Sequence, residues 1–182
     1  FAQNPDEAIA LSRMIGDYKR KFKRKINLTV QVRSEVAEDD RLIEAMKYAG
    51  VKTLAIGYES PINEELRAMN KGVTVEKLVA RSRKLSESFY LHGMFIFGYP
   101  TFSDSKYKSG LSLEKRARVY ERFFKVARID TVQMLNAVPL PGSRLRSRLE
   151  SEKRLLPLEM VGWDKYDGLW LCYDPRQEGI DE

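Results

Sequence analysis

Short runs of residue-by-residue alternation, each followed by a run of helical spacing, constrain this chain more than any other feature. Leu28, Val30 and Val32 alternate with Thr29, Gln31 and Arg33, and Leu54, Ile56 and Tyr58 alternate with Thr53, Ala55, Gly57 and Glu59. A period of two marks a strand with two unlike faces. Further strands are expected at 94–98 and at 131–138, the latter ended by Pro139 and Pro141. The helical stretches between them are long enough for crossovers, so the strands should run parallel. A sheet covered by helices on both faces wants both sets of strand residues apolar. Here one set is apolar and the other polar or small, which suits a barrel wall with helices outside and a ligand-bearing lumen inside. The expected fold is therefore α/β: a partial, open, parallel TIM-type barrel of four βα units over residues 1–150, with a C-terminal extension over 151–182.

The helices are read from caps and spacing. Asn4 is placed to cap a helix that starts at Pro5, with Asp6 and Glu7 at its positive end. Ala8, Leu11, Ile15, Tyr18 and Phe22 recur every three or four residues as its expected buried face. A second helix is expected at 39–49 with Gly50 as its C-cap, a short one at 62–69, and one capped by Thr74 and running to Phe89. After a polar loop at 101–110, Ser112 caps a helix expected to pack Leu113, Ala117, Tyr120, Phe124 and Ala127. Past residue 150 the rhythm stops, and Trp163, Tyr166, Trp170 and Tyr173 gather around Gly168 as an expected hairpin or edge strand.

Composition narrows the function classes. The one cysteine, Cys172, excludes an intramolecular disulfide and any all-cysteine metal site within these residues. His92 is the sole histidine, at the start of an apolar strand, where a structural or turn role is expected. No apolar run approaches the roughly 20 residues of a membrane span, and no basic-then-apolar leader opens the sequence, so cytoplasm is the expected location. The net charge of +6 gathers at residues 19–25, a solvated helix end or a basic patch for nucleic acid.

In a parallel barrel, functional groups belong at the C-terminal ends of strands. Those positions hold Arg33, then Gly57-Tyr58-Glu59-Ser60, then Gly98-Tyr99-Pro100, then Pro139-Leu140-Pro141-Gly142-Ser143. Glu59 falls with the lumen-facing set, where a carboxylate can accept hydrogen bonds from ligand hydroxyls such as a ribose diol. A salt bridge to Arg33 is the purely structural alternative. Lys71, in Asn70-Lys71-Gly72, either brings an ammonium to a carboxylate or phosphate or simply follows a helix C-cap.

At these residues a family resemblance emerges. Gly50-Val51-Lys52-Thr53-Leu54-Ala55-Ile56-Gly57-Tyr58-Glu59-Ser60, followed by Leu66-Arg67-Ala68-Met69-Asn70-Lys71-Gly72-Val73-Thr74, resembles the central motif of radical S-adenosylmethionine enzymes, above all the branch with an upstream cobalamin-binding domain. Gly93-Met94-Phe95-Ile96-Phe97-Gly98-Tyr99-Pro100 resembles that family's next strand, and Pro141-Gly142-Ser143-Arg144-Leu145 its proline-glycine turn. Phe1-Ala2-Gln3-Asn4-Pro5 is similar to the segment after the family's second strand. Trp163-Asp164-Lys165-Tyr166-Asp167-Gly168, with Asp174-Pro175, is similar to its post-barrel segment. The resemblance spans nearly the whole chain, and its motifs stand in the family's order.

What the resemblance implies is an iron–sulfur enzyme. In such enzymes a reduced 4Fe–4S cluster cleaves S-adenosylmethionine to methionine and a 5′-deoxyadenosyl radical, which abstracts a substrate hydrogen in oxidoreductase or methyltransferase chemistry, with cobalamin in some members. It implies that Glu59 binds the ribose hydroxyls, within the ligand-binding stretch that includes Gly57 and Ser60. Gln31 or Arg33 would reach the same ligand, Lys71 would pair with its carboxylate, and Met94, Ile96 and Gly98 would flank the adenine or the substrate. The chain departs from the family in lacking the CxxxCxxC loop and the glycine-rich second strand, both expected ahead of Phe1. One cysteine cannot supply the thiolates of such a cluster, so this stretch alone is expected to be an inactive, excised piece. Two other readings stay open: a cluster-free α/β domain binding an anionic ligand or RNA through residues 19–25 and Arg144, Arg146 and Arg148, and an unrelated barrel enzyme using Glu59 and Lys71 for acid–base work. An open arc also leaves an unpaired sheet edge, so self-association is expected.

Overall fold

A computed structural model of the chain describes residues 1–100 and 111–175. In order it forms α1 (Pro5–Lys21), β1 (Leu28–Val32), a short 3-10 helix (Ser34–Glu38), α2 (Asp40–Ala49), β2 (Val51–Glu59), α3 (Asn63–Ala68), α4 (Val75–Ser86), β3 (Tyr90–Ile96), α5 (Leu113–Ala127), β4 (Thr131–Leu135), α6 (Arg144–Ser151) and α7 (Leu158–Val161). The described strands make one four-stranded parallel sheet in the order β1-β2-β3-β4, an α/β sheet not closed into a barrel. Thr29 stands opposite Thr53 and Gln31 opposite Ala55, so the polar or small residues of β1 and β2 share one face. Leu54, Ile56 and Tyr58, together with Val32, Leu91 and Phe95, are buried. The polar loop expected at 101–110 lies outside the described residues.

The described chain divides into two compact units, the first made of Phe1–Tyr58, Val73–Met94 and Arg122–Gln133. In that unit α1 packs on α2, with a face that agrees with the expected one at Ala8 but not along its longer apolar residues. Ala8, Ile9, Ser12 and Gly16 are buried, while Leu11, Tyr18 and Phe22 are about half exposed (47%, 53% and 51%). The small face wins because Tyr48 of α2 lies flat where a side chain on Gly16 would be; an ideal Cβ there would also stand 2.9 Å from the Tyr48 carbonyl oxygen. Lys19, part of the basic run, is committed to structure: its Nζ donates to the carbonyls of Ile26 (2.5 Å) and Ala49 (2.8 Å). Arg81 of α4 donates to Ser34 and Glu38, tying that helix to the 3-10 turn. Ser82 and Tyr58 join their buried hydroxyls at 2.7 Å.

His92 lies within β3, with Nδ1 2.9 Å from the Thr131 hydroxyl. β4 ends at Leu135, short of the expected 138, because the Asn136 N–H turns to the carbonyl of Gly168 at 2.7 Å. Gly168 has φ +88°, and a Cβ there would press on Leu135 at 3.1 Å.

The second unit comprises Glu59–Gly72 and the described residues of Phe95–Glu121 and Met134–Glu182. Its small core gathers Ala137, Leu149 and Tyr173, with Ile96, Tyr99, Leu145 and Leu155 packed against them. In place of the expected hairpin or edge strand, the described residues past 151 form α7, a 3-10 turn at Trp163–Lys165 and an isolated antiparallel bridge between Leu155 and Tyr173. No described helix is long and apolar enough to cross a membrane.

Candidate functional site

Where β2 ends, its alternation hands the chain from buried Tyr58 to Glu59, which is half-buried and has φ +65°. That left-handed conformation costs an L-residue about 1–2 kcal/mol. Ser60 follows, fully buried. Its hydroxyl accepts from the Ile62 N–H at 3.1 Å and donates to the Glu65 carboxylate. This tight turn starts α3. At the other end of α3 the chain reverses through Asn70, again left-handed at φ +57°, and the Lys71 N–H bonds back to the Leu66 carbonyl at 2.8 Å. Asn tolerates that conformation better than most residues. The reversal returns Lys71 toward the strand end, where its Nζ meets Glu59 Oε1 at 2.9 Å. Both side chains keep contact with solvent, 39% exposed for Lys71 and 23% for Glu59.

Beneath the pair lies a desolvated charge pair. Glu65 of α3 and Arg116 of α5 form an ion pair with side chains only 6% and 2% exposed. Burial draws the Arg116 guanidinium down from its ordinary pKa. One turn along α5, Tyr120 donates to the Ile96 carbonyl at 2.6 Å and packs edge-on against Phe95 and Phe97. Burial pushes the Tyr120 phenol up to about 12, with hydrogen bonding to Ser60 and the Arg116 charge acting the other way, so it stays a donor near neutral pH.

Of the residues singled out in the sequence, Glu59 and Lys71 are in direct contact. The cation on Glu59 comes from its own following turn, so an ion pair forms with Lys71 in the place considered for Arg33. Ser60 turns its hydroxyl inward to Glu65. Gln31 is exposed on β1, Arg33 is exposed just past that strand, and Gly57 and Met94 are half-buried in β2 and β3; these four belong to the first unit. Glu65 and Arg116 were missed. The expected α5 face was right at Tyr120 and Ala127, which are buried, but Arg116 and Phe123 are buried where Ala117 and Phe124 were expected; Leu113 and Ala117 are exposed and Phe124 is half-buried. A charged residue in step with that i, i+4, i+7, i+11 series is the signal that could have found Arg116.

The donor set does not suit an iron–sulfur cluster. Cys172 is buried and burial raises its thiol, disfavouring the thiolate a cluster needs. Among the described residues no group of three or more His, Cys, Asp or Glu could hold a metal ion.

No family model matches the chain. Over 130 residues it is 28% identical to an uncharacterized methyltransferase of Pyrococcus horikoshii, an alignment covering 70% of this chain and 25% of that protein. The chain thus spans about a quarter of the length of the curated relative it matches. Among solved structures it is similar to Elp3 of the archaeon Methanocaldococcus infernus, with a TM-score of 0.58 at 19% identity over 71% of this chain and 29% of that one. It is similar to the radical S-adenosylmethionine methyltransferase TsrM from Kitasatospora setae, with a TM-score of 0.50 at 17% identity over 69% of this chain and 23% of that one. TsrM has been solved with tryptophan substrate and a S-adenosylmethionine analogue, and with cobalamin and a 4Fe–4S cluster. The cobalamin-dependent S-adenosylmethionine radical enzyme OxsB gives a TM-score of 0.54 at 18% identity, over 91% of this chain and 29% of that one. The α/β fold of this chain, an open parallel sheet, is therefore similar to that of the solved radical S-adenosylmethionine enzymes TsrM and OxsB.

Proposed function

We propose that the chain is the nucleoside-binding part of a radical S-adenosylmethionine enzyme, in which Glu59 accepts hydrogen bonds from the ribose hydroxyls and Lys71 pairs with the methionine carboxylate. The observation that supports it is the Glu59–Lys71 pair itself. A partly exposed ion pair is worth about 0–1 kcal/mol, less than the roughly 1–2 kcal/mol that left-handed backbone costs at Glu59. Stability alone does not account for a glutamate there, and strain of that kind concentrates at binding sites. An acceptor-only carboxylate and a donor-only ammonium at the C-terminal end of a parallel strand suit the diol and carboxylate of one zwitterionic nucleoside.

Gln31, Arg33, Gly57 and Met94 enter this proposal on the resemblance of their motifs alone, and Ser60 enters as a support of the loop. The cluster's thiolates are proposed to come from sequence outside these 182 residues, and the chain by itself to be inactive. Methyl transfer is the favoured reaction class, because the curated relative is a methyltransferase, as is TsrM. Cobalamin is proposed as a cofactor of the whole protein because TsrM has been solved with cobalamin bound and OxsB is cobalamin-dependent.

The test is calorimetric titration of S-adenosylhomocysteine into the full-length protein, with iron content measured alongside. Glu59→Ala should weaken binding about 10- to 100-fold, the loss expected for hydrogen bonds to a charged acceptor, and leave iron content unchanged. Unaltered affinity in the variant overturns the proposal.

A further inference from the structure

We infer that Arg116 is a positioning residue for the Glu59–Lys71 pair, acting through Glu65 and Ser60. This rests on the reading that the pair holds a ligand. Ser60 immediately follows Glu59, and Glu65 lies in α3, the helix whose far end returns Lys71. One buried carboxylate therefore ties down the residue after Glu59 and also anchors the element that carries its partner.

The direction of the hydrogen bonds is set by charge. As an anion Glu65 can only accept. The Ser60 O–H must then point to it, which leaves a Ser60 lone pair for the Ile62 N–H at 3.1 Å. What keeps Glu65 an anion at 5% exposure is the Arg116 guanidinium, itself 2% exposed. An unpaired carboxylate at that depth takes a proton or drags its loop to water. A protonated Glu65 gains a donor of its own, and the Ser60 turn loses its fixed polarity. With that turn loosened, Glu59 can relax from φ +65° to ordinary backbone, which swings its carboxylate off Lys71. Arg116 is well placed to hold this arrangement rigid, because Tyr120 on the same helix is bonded to the Ile96 carbonyl at 2.6 Å.

The deciding experiment is a double-mutant cycle in the full-length protein, read as affinity for S-adenosylhomocysteine. Arg116→Met should weaken binding about tenfold or more in the wild-type background and change it less than about twofold in the Glu59→Ala background, since its effect runs through Glu59. Arg116→Lys, which keeps the charge, should recover most of the affinity. An equal loss in both backgrounds overturns the inference, because a general structural role would act irrespective of Glu59. Should Arg116→Met fail to fold, Ser60→Ala, an uncharged break in the same chain of bonds, is put through the same cycle with the same two outcomes. If Glu59→Ala weakens binding and Arg116→Met does not, the inference alone falls. If Glu59→Ala has no effect, the ligand reading falls with it.

Discussion

Replacing Glu59 by glycine separates binding from stability in one substitution. The residue sits at φ +65° with a side chain 23% exposed and an ion pair to Lys71. Glycine relieves the left-handed backbone of about 1–2 kcal/mol. Against this, the freer unfolded chain costs about 0.5–1 kcal/mol, and the lost ion pair, partly open to water, about 0–1 kcal/mol. These nearly cancel, so Glu59→Gly should unfold in urea within about 1 kcal/mol of the wild type, followed by far-ultraviolet circular dichroism. Affinity for S-adenosylhomocysteine in the full-length protein should still fall about 10- to 100-fold or more, because no other oxygen replaces the carboxylate. A variant destabilised by more than about 2 kcal/mol would show that Glu59 is there for the fold. A variant that binds normally refutes the ligand role.

Three further outcomes are expected. Gly16→Ala should lower the unfolding midpoint despite a helix-propensity gain of about 1 kcal/mol, because the new methyl meets Tyr48, whose hydroxyl is held by Asp17 at 2.6 Å, and overpacking of this kind costs about 1–3 kcal/mol. Glu38 and Asp39 have carboxyl pKa values lowered chiefly by hydrogen bonds from Arg81 and Arg41, from ordinary values of 4.5 and 3.8. Their contribution to stability is complete above those values and disappears as pH falls through the lower folded-state ones, so Glu38→Gln should flatten the acid side of the melting-temperature profile. The chain alone should self-associate, since β1 and β4 are edges of the described sheet and α1 leaves Leu11, Met14, Tyr18 and Phe22 exposed; a monomer in sedimentation velocity at all concentrations contradicts this.

Period-two alternation in β1 and β2 was enough to read strands with one polar face, and the helical runs between them to read a parallel sheet, because both periods are local consequences of backbone geometry. Caps were legible for the same reason: Asn4 and Thr74 each accept from a backbone N–H in the following turn, and Gly50 closes α2 at φ +82°. Which face of a helix is buried was less legible. In α1 the longest apolar residues point away from α2, and in α5 a charged residue occupies the buried face.

By itself, then, the sequence determined the types and order of the elements from α1 to β4, and the placing of Glu59 at a strand end. Only the tertiary structure decided that Lys71 returns to it at 2.9 Å and that Glu65 and Arg116 lie buried beneath. The physical reason is range: dihedral preference and periodicity act within a few residues, whereas the desolvation that makes a buried ion pair consequential depends on neighbours about 50 positions apart in sequence.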